Sequence, residues 1–391
     1  MRDPHVPLSL LLLVLAVVPR PAAADCEPAT AAAATLAAPQ AVLKQALGGE
    51  ADPDLTPAVR DAIVALKQGL ARLVDAEAAC LSGAGPQPEA FAQTLAARSG
   101  SAASPAARIP DAQTDAVPLS PRFDVRLLQK GALLSVVARI DVPCGEDALW
   151  LLYERSSAQW RPVLQWTSAA YDRIDSAWGS FQYAVSPRDA GGGWFAATAH
   201  VRPWCSSAWS VIDYAIARPG ATAAAPQVLL AENDGIWWGG DDLGRLSVDA
   251  AHAELRFHGS SLDPEVHNRE YVRRYAVNGA RAERVAPVAA TPRGFVEEWL
   301  VSAWPQAQRW SAADPALQAA HARLQAASKS AATTFGATRQ CADGSTQVQL
   351  TIQDGGRYFR IEGRPVSYRL KAIAAQADPS CTRELAEPSL Y

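Results

Sequence analysis

Residues 150–166 read WLLYERSSAQWRPVLQW, and the fold turns on how this stretch is taken. Two runs rich in Trp, Leu, Tyr and Val flank a polar Glu-Arg-Ser-Ser break, which predicts a β-hairpin. Just upstream, from residue 134, the chain reads as a strand ending Ile140-Asp141-Val142-Pro143-Cys144. The same order returns in 195–230, as a strand ending Val201-Arg202-Pro203-Trp204-Cys205, then SVIDYAIARPG and PQVLLAE. It returns again in 252–288, with AELRFHG, a loop, and REYVRRYAVNGARAERVAPV, whose Asn278-Gly279 is a turn signal. The spacing of these units is about 60 residues, a weak internal repeat. Cys144 and Cys205 hold equivalent places in the first two units, which predicts a Cys144–Cys205 disulfide between facing strands. Repeated antiparallel meanders of this size build either a partial propeller or a large twisted sandwich. The Trp-rich β domain is placed at 119–293.

Toward the N-terminus the period changes. After Thr56-Pro57, an N-cap and first-turn pair, Val59, Ile63, Leu66, Leu70 and Leu73 recur at spacings of four and three. This predicts one apolar stripe on a helix over 56–80, and continuing it by seven lands on Cys80. A weaker helix over 30–47 carries Leu36, Val42, Leu43 and Leu47, with Pro39 as a kink and Gly48-Gly49 as a stop. Pairing the two antiparallel brings Cys26 beside Cys80. A helical hairpin region over 25–98, closed by Cys26–Cys80, is therefore expected, with a further short helix at 88–98. Residues 99–118 read as a flexible, Pro-punctuated linker.

Toward the C-terminus, 294–329 reads as helix, with FVEEWLVSAW, PQAQRW and DPALQAAHARLQAAS. Glu297 and Glu298 are expected on a solvated face opposite Phe295 and Trp299. Residues 330–391 then read as a β-meander, because Val348, Leu350 and Ile352 alternate with polar residues before the Asp354-Gly355-Gly356 turn. Cys341 and Cys381 flank it, predicting the third disulfide. The fold class is thus α+β and mainly β. The last meander is either a subdomain or a sheet rejoining the β domain.

Composition bounds the function. With 36 basic and 40 acidic residues the net charge is −4, which leaves no basic footprint for nucleic acid. Residues 7–18 are an apolar run, PLSLLLLVLAVV, followed by Pro19-Arg20-Pro21 and Ala22-Ala23-Ala24. That is the pattern of a secretory signal over 1–24, too short to span a bilayer. The protein is expected to be exported, to the periplasm or outside a bacterial cell, with no membrane span in the mature chain. Six Cys without C-x-x-C spacing then read as three structural disulfides.

The search for chemistry finds no G-x-S-x-G elbow, S-x-x-K, H-E-x-x-H or Walker-type loop. No metal or cofactor is expected, since the His and Cys lack ligand spacing. The most unusual string runs Glu232-Asn233-Asp234-Gly235-Ile236-Trp237-Trp238-Gly239-Gly240-Asp241-Asp242. Adjacent Trp in extended backbone face opposite ways, so one ring is left for the surface, with carboxylates alongside. Flat aromatic faces beside acidic oxygens suit sugar rings. Trp237, Trp238, Asp241 and Asp242 are the expected binding residues. The plainer reading packs one Trp under the loop and lays the other over a strand edge. The expected function is a non-enzymatic module that binds a glycan, peptide or envelope partner. One alternative is a carboxylate-dependent hydrolase of polysaccharide or another polymer, using Asp241, Asp242, Asp172 and Asp175. Another is an envelope scaffold that binds through its helical hairpin.

Overall fold

A computed structural model describes residues 26–47, 55–81, 86–100, 121–142, 145–157, 159–168, 181–202, 208–237, 244–352, 355–365 and 367–386. The signal at 1–24, nearly all of the linker, and the Cys144–Cys205 pair lie outside the described residues. The protein is mainly β, with antiparallel sheets, an N-terminal helical layer, and helices before a C-terminal meander.

Helices α1 (Glu27–Ala34), α2 (Ala37–Leu47), α3 (Pro57–Cys80) and α4 (Pro88–Arg98) form the N-terminal layer. All five stripe residues of α3, Val59 to Leu73, are buried as the spacing requires. Thr56 Oγ1 accepts the Val59 N–H as the N-cap. The Cys26–Cys80 disulfide closes the layer, with Cα atoms 6.1 Å apart. The first predicted helix is broken at Thr35–Leu36 rather than kinked at Pro39. Pro39 instead sits in the first turn of α2, where a backbone N–H has no intrahelical acceptor to lose.

Three four-stranded meanders follow in chain order. The first is β1 (Arg122–Leu128), β2 (Leu133–Val142), β3 (Gly145–Ser156) and β4 (Gln159–Thr167). The second is β5 (Phe181–Val185), β6 (Ala196–Val201), β7 (Trp209–Thr222) and β8 (Ala225–Trp237). The third is β9 (Arg245–Val248), β10 (His252–Ser260), β11 (Asn268–Asn278) and β12 (Arg281–Arg284). In each unit the last three strands are the strand and hairpin of the sequence repeat. The sheets stack face to face. Leu134, Val136, Leu149, Leu151 and Tyr153 pack on the helices, while Leu133, Val137, Trp150 and Leu152 pack on Phe181, Trp194 and Ala196 of the next meander. The other face of the second sheet, with Ile212, Tyr214 and Ile216, packs on Ala253, Leu255, Phe257 and Tyr275 of the third. A first sheet covered on both faces explains why β3 reads as an unbroken apolar run. Helices and three stacked sheets exceed the two layers of a sandwich, and no barrel closes among the described strands.

The outward face of the third sheet is a ladder of ion pairs among Glu254, Arg256, Glu270 and Arg274. Helices α5 (Pro292–Val301), α6 (Trp304–Arg309) and α7 (Pro315–Ser330) come next. They bury Phe295, Trp299 and Leu324 against the fourth sheet, β13 (Thr333–Cys341), β14 (Thr346–Ile352), β15 (Gly355–Glu362), β16 (Arg369–Ala374) and β17 (Cys381–Glu384). Strand β17 returns to pair with β13, and Cys341 and Cys381 are direct cross-strand partners joined by a disulfide.

Candidate functional site

Period-2 alternation decides what meets where the second and third sheets reach α5 and α6. On β8, Glu232 and Asp234 are two apart and share a face. Tyr214 of β7 stands opposite Glu232 in the ladder. On β11, Arg269, Tyr271, Arg273 and Tyr275 share the face turned toward the second sheet. Arg284 of β12 stands opposite Tyr275. Of these, Tyr214, Glu232, Asp234, Arg273, Tyr275 and Arg284 line a cleft of about 590 Å³, closed by Glu298 of α5, by the polar Asn233, Ser302 and Gln306, and by the apolar Leu230, Ala282, Val301 and Ala303.

Most of the cleft's charges are paired. Arg273 grips Asp234 through Nε at 2.7 Å and Nη2 at 3.0 Å, while its Nη1 donates to Glu298 at 2.9 Å. Arg284 donates to Glu298 at 3.3 Å and to the Val272 carbonyl at 2.6 Å. Behind them, Arg269 reaches both Glu298, at 3.2 Å, and Glu297, at 3.1 Å. Burial alone would push the Glu298 carboxyl up, but the guanidinium groups of Arg273, Arg284 and Arg269 outweigh it and hold the pKa at about 2. Glu298 is therefore ionised at neutral pH.

These contacts correct one expectation. Glu297 and Glu298 do not lie on a solvated face; both are buried, and they tie the helical segment to the third sheet. A signal was present in the alternation Arg269-x-Tyr271-x-Arg273-x-Tyr275, which puts two arginines on the same face as two core aromatics and requires buried carboxylate partners.

Two phenols organise the remainder. Tyr275 Oη donates to Glu232 Oε2 at 2.6 Å, and Tyr214 Oη lies 2.9 Å from both Glu232 Oε2 and Asp234 Oδ2. Burial is the first cause that raises both tyrosine pKa values, so both phenols keep their protons. Glu232 itself is exposed to the cleft.

Of the expected binding residues, Trp238, Asp241 and Asp242 lie outside the described residues, as do Asp172 and Asp175. Trp237 ends β8 half-buried, directly opposite Trp209 in the ladder and with its ring centroid 6.5 Å from that of His258. Trp209 is 38% exposed. The string that carries Trp237 thus contributes to the cleft through its first residues, Glu232 and Asp234.

A second constellation resembles a nucleophile site but is sealed. Lys67 of α3 donates to Ser168 Oγ at 3.0 Å and pairs with both Asp147 oxygens at 3.2 Å. Ser168 also donates to Asp147. His200 lies close enough for Asp147 to act on its charge. All four side chains are buried. None of the four side chains is open to a substrate. The cluster instead fastens the helical layer to the first sheet. Comparison with protein-family models and with curated protein sequences finds no match, so the function is read from geometry.

Proposed function

We propose that this is an exported, non-enzymatic binding protein that holds a glycan or peptide ligand in the cleft between its second and third sheets. The observation that carries the reading is the contrast inside the cleft. Asp234 and Glu298 are saturated by arginines, while Glu232 and the two phenols present hydrogen-bonding groups to an open space of about 590 Å³. That volume falls within the range of small-ligand sites, roughly 300–1,000 Å³. Carboxylate hydrolysis needs one acid that can carry a proton beside one free base or nucleophile. Glu298, locked by three guanidinium groups, and Asp234, gripped by Arg273, are poorly suited to either role. The disulfides Cys26–Cys80 and Cys341–Cys381 support an oxidising compartment, and the apolar run at 7–18 supports export.

The test is a glycan and peptide array probed with mature protein, with a Tyr214→Phe/Tyr275→Phe double variant, and with a Trp237→Ala/Trp238→Ala double variant. Binding lost in the phenol variant and kept in the tryptophan variant is the expected result. The reverse pattern moves the site to the aromatic pair of Trp209 and Trp237. Binding unchanged in both removes the cleft from consideration.

A further inference from the structure

A second opening lies between the first and second sheets, at their edge strands β1 and β5. Arg126, Leu128 and Gln129 border it from the first sheet and Tyr183 to Pro187 from the second, around a cavity of about 390 Å³. The β1–β2 turn beside it has an unusual backbone. Gln129 and Lys130 both have positive φ, 48° and 57°, ahead of Gly131 at 85°. Two successive residues of positive φ are what a tight hairpin turn asks for, and Gly or Asn adopts them most easily. What glutamine adds is reach. Gln129 Nε2 donates across the gap to the Ser186 carbonyl, at 2.8 Å. A carbonyl only accepts, so this bond fixes which way the amide points. It leaves Gln129 Oε1 buried, with no hydrogen-bond partner among the described residues.

Tyr183 repeats the pattern from the opposite wall. Its ring sits beside Trp150, with centroids 4.6 Å apart, while its hydroxyl is buried and has no hydrogen-bond partner among the described residues. The Ser135 hydroxyl stands near enough to act on the phenol, but its short contact is with the Trp150 indole N–H, at 2.9 Å. Burial is the first cause that raises the Tyr183 pKa, so the phenol keeps a hydrogen to donate. One buried acceptor and one buried donor thus border the same cavity from facing sheets. Leaving both unpaired is destabilising, and a ligand group that pairs them recovers the loss. The lining carries no unbalanced charge. Arg126, its one charged residue, is paired with both oxygens of Asp124, at 3.0 and 2.8 Å. The Ser186 hydroxyl already accepts the Phe195 N–H at 3.0 Å, and Leu128, Ala184, Val185 and Pro187 are aliphatic.

We propose that this notch is a second binding site, independent of what the cleft holds, and that it takes a neutral secondary amide with a small alkyl group: the acetamido group of an N-acetylated ligand. In a trans amide the carbonyl and the N–H point in opposite directions, which suits partners on opposite walls. The carbonyl accepts from Tyr183 Oη, the N–H donates to Gln129 Oε1, and the acetyl methyl lies along Leu128 and Val185. An alcohol offers a donor and an acceptor but leaves that aliphatic surface uncovered. An anion or a cation finds no free counter-charge. The carrier, a sugar ring or an amino acid, stays at the mouth, where Arg126 and Pro187 are exposed.

The experiment is calorimetric titration of the mature protein with four probes: N-acetylglucosamine, glucosamine, N-acetylalanine amide and alanine amide. The expected result is that an acetylated probe binds at least tenfold more tightly than its free amine, and whichever of the two acetylated probes does so names the carrier. Tyr183→Phe should weaken that binding at least tenfold. Because it removes an unpaired hydroxyl, its melting temperature without ligand should equal or exceed that of wild type. A lower one shows that the hydroxyl has a structural partner and overturns the proposal. Gln129→Asn suits the positive φ but withdraws the amide from the cavity, and should also weaken binding at least tenfold. Tyr214→Phe/Tyr275→Phe should leave it unchanged; a loss there moves the amide to the cleft and overturns the notch. No binding by any probe, equal binding of acetylated and free amines, or binding unchanged in Tyr183→Phe or Gln129→Asn overturns it as well, and none of these results bears on the cleft.

Discussion

Replacing Lys67 with Met tests the mechanical logic of the molecule. The Lys67 ammonium crosses from α3 into the first sheet, where Asp147 has no exposed surface. Both Asp147 oxygens lie 3.2 Å from Nζ. With the ammonium removed, Asp147 loses its cationic partner and keeps neutral ones, among them the Ala148 N–H at 2.7 Å and the Ser168 hydroxyl. Breaking a buried pair from one side costs about 3–5 kcal/mol. A second route gives a ceiling on the charge part. Asp147 can escape as a neutral acid, and protonating an ordinary aspartate, with pKa about 3.9, costs about 4 kcal/mol at pH 7 but only about 1.5 kcal/mol at pH 5. The Met side chain fills most of the lysine volume, so the packing term is small and independent of pH. Urea unfolding followed by tryptophan fluorescence should therefore show a loss of about 4 kcal/mol at pH 7 that shrinks by about 2–3 kcal/mol at pH 5. A Lys67→Met/Asp147→Leu double variant should return to within about 1 kcal/mol of wild type, because the buried charge is gone. A loss that is the same at both pH values, or below about 1 kcal/mol at pH 7, refutes the account.

Three other outcomes follow from the same packing. Burial pushes the His200 imidazole pKa down, against the opposing pull of Asp147. The unfolded chain then binds the proton first, so stability is full above about 6.5 and declines as pH falls from there toward the folded-state pKa. His200→Gln should flatten the stability profile between pH 5 and 7 relative to wild type, and parallel profiles would contradict this. At Gly259 an added Cβ would sit 2.7 Å from the Tyr271 ring and 2.8 Å from the Gly235 carbonyl oxygen, so Gly259→Ala should force the third sheet off the second. Overpacking of this kind costs about 1–3 kcal/mol, and a melting temperature equal to wild type would show that the sheets have room. Replacing Cys26 and Cys80 with Ser opens a loop with a separation of 54 residues. Chain entropy puts that loss at about 4 kcal/mol, to be compared with wild type by urea unfolding under non-reducing conditions; a loss under about 1 kcal/mol would show that packing alone holds the helices.

The α3 stripe and the two described disulfides were legible because each rests on local geometry. A 3.6-residue period carries Leu73 onto Cys80, and a meander brings Cys341 and Cys381 to its two ends. The three meanders were legible from turn residues at regular distances. Their stacking was not, since face-to-face contact between sheets leaves no fixed spacing in the chain. The charged interior was missed for a related reason. Lys67 lies four residues after Ile63 and three before Leu70, squarely on the apolar stripe. Reading charge as a mark of the solvated face passed over it, just as it placed Glu297 and Glu298 outside. Partners for such charges come from elements far away in sequence, so the burial becomes visible only when the sheets are assembled.

That assembly also changes the meaning of the tryptophans crowded between residues 150 and 310. Sheets packed face to face stand about 10 Å apart, and wide rings fill that gap efficiently. Trp150, Trp160, Trp194, Trp299 and Trp310 are all buried between layers. The indole N–H groups of Trp150 and Trp299 are satisfied by serine hydroxyls, from Ser135 and Ser311, each at 2.9 Å. Trp166, stacked on Phe181, and Trp304, beside His321, are half-buried against the same layers. Tryptophan here is chiefly the filling between layers, and Trp209 and Trp237 stand out as a cross-strand pair that is partly exposed. The cleft holds no tryptophan and opens where stacking stops, at the join between the third sheet and α5. A face that would otherwise meet another sheet is there left with tyrosines, arginines and one unmatched carboxylate. The third sheet needs Arg269 and Arg273 to anchor the helices, and the phenols need acceptors. The same polar residues that end the stack therefore line an open cleft, in which Glu232 stays exposed while Asp234 and Glu298 are taken up by arginines.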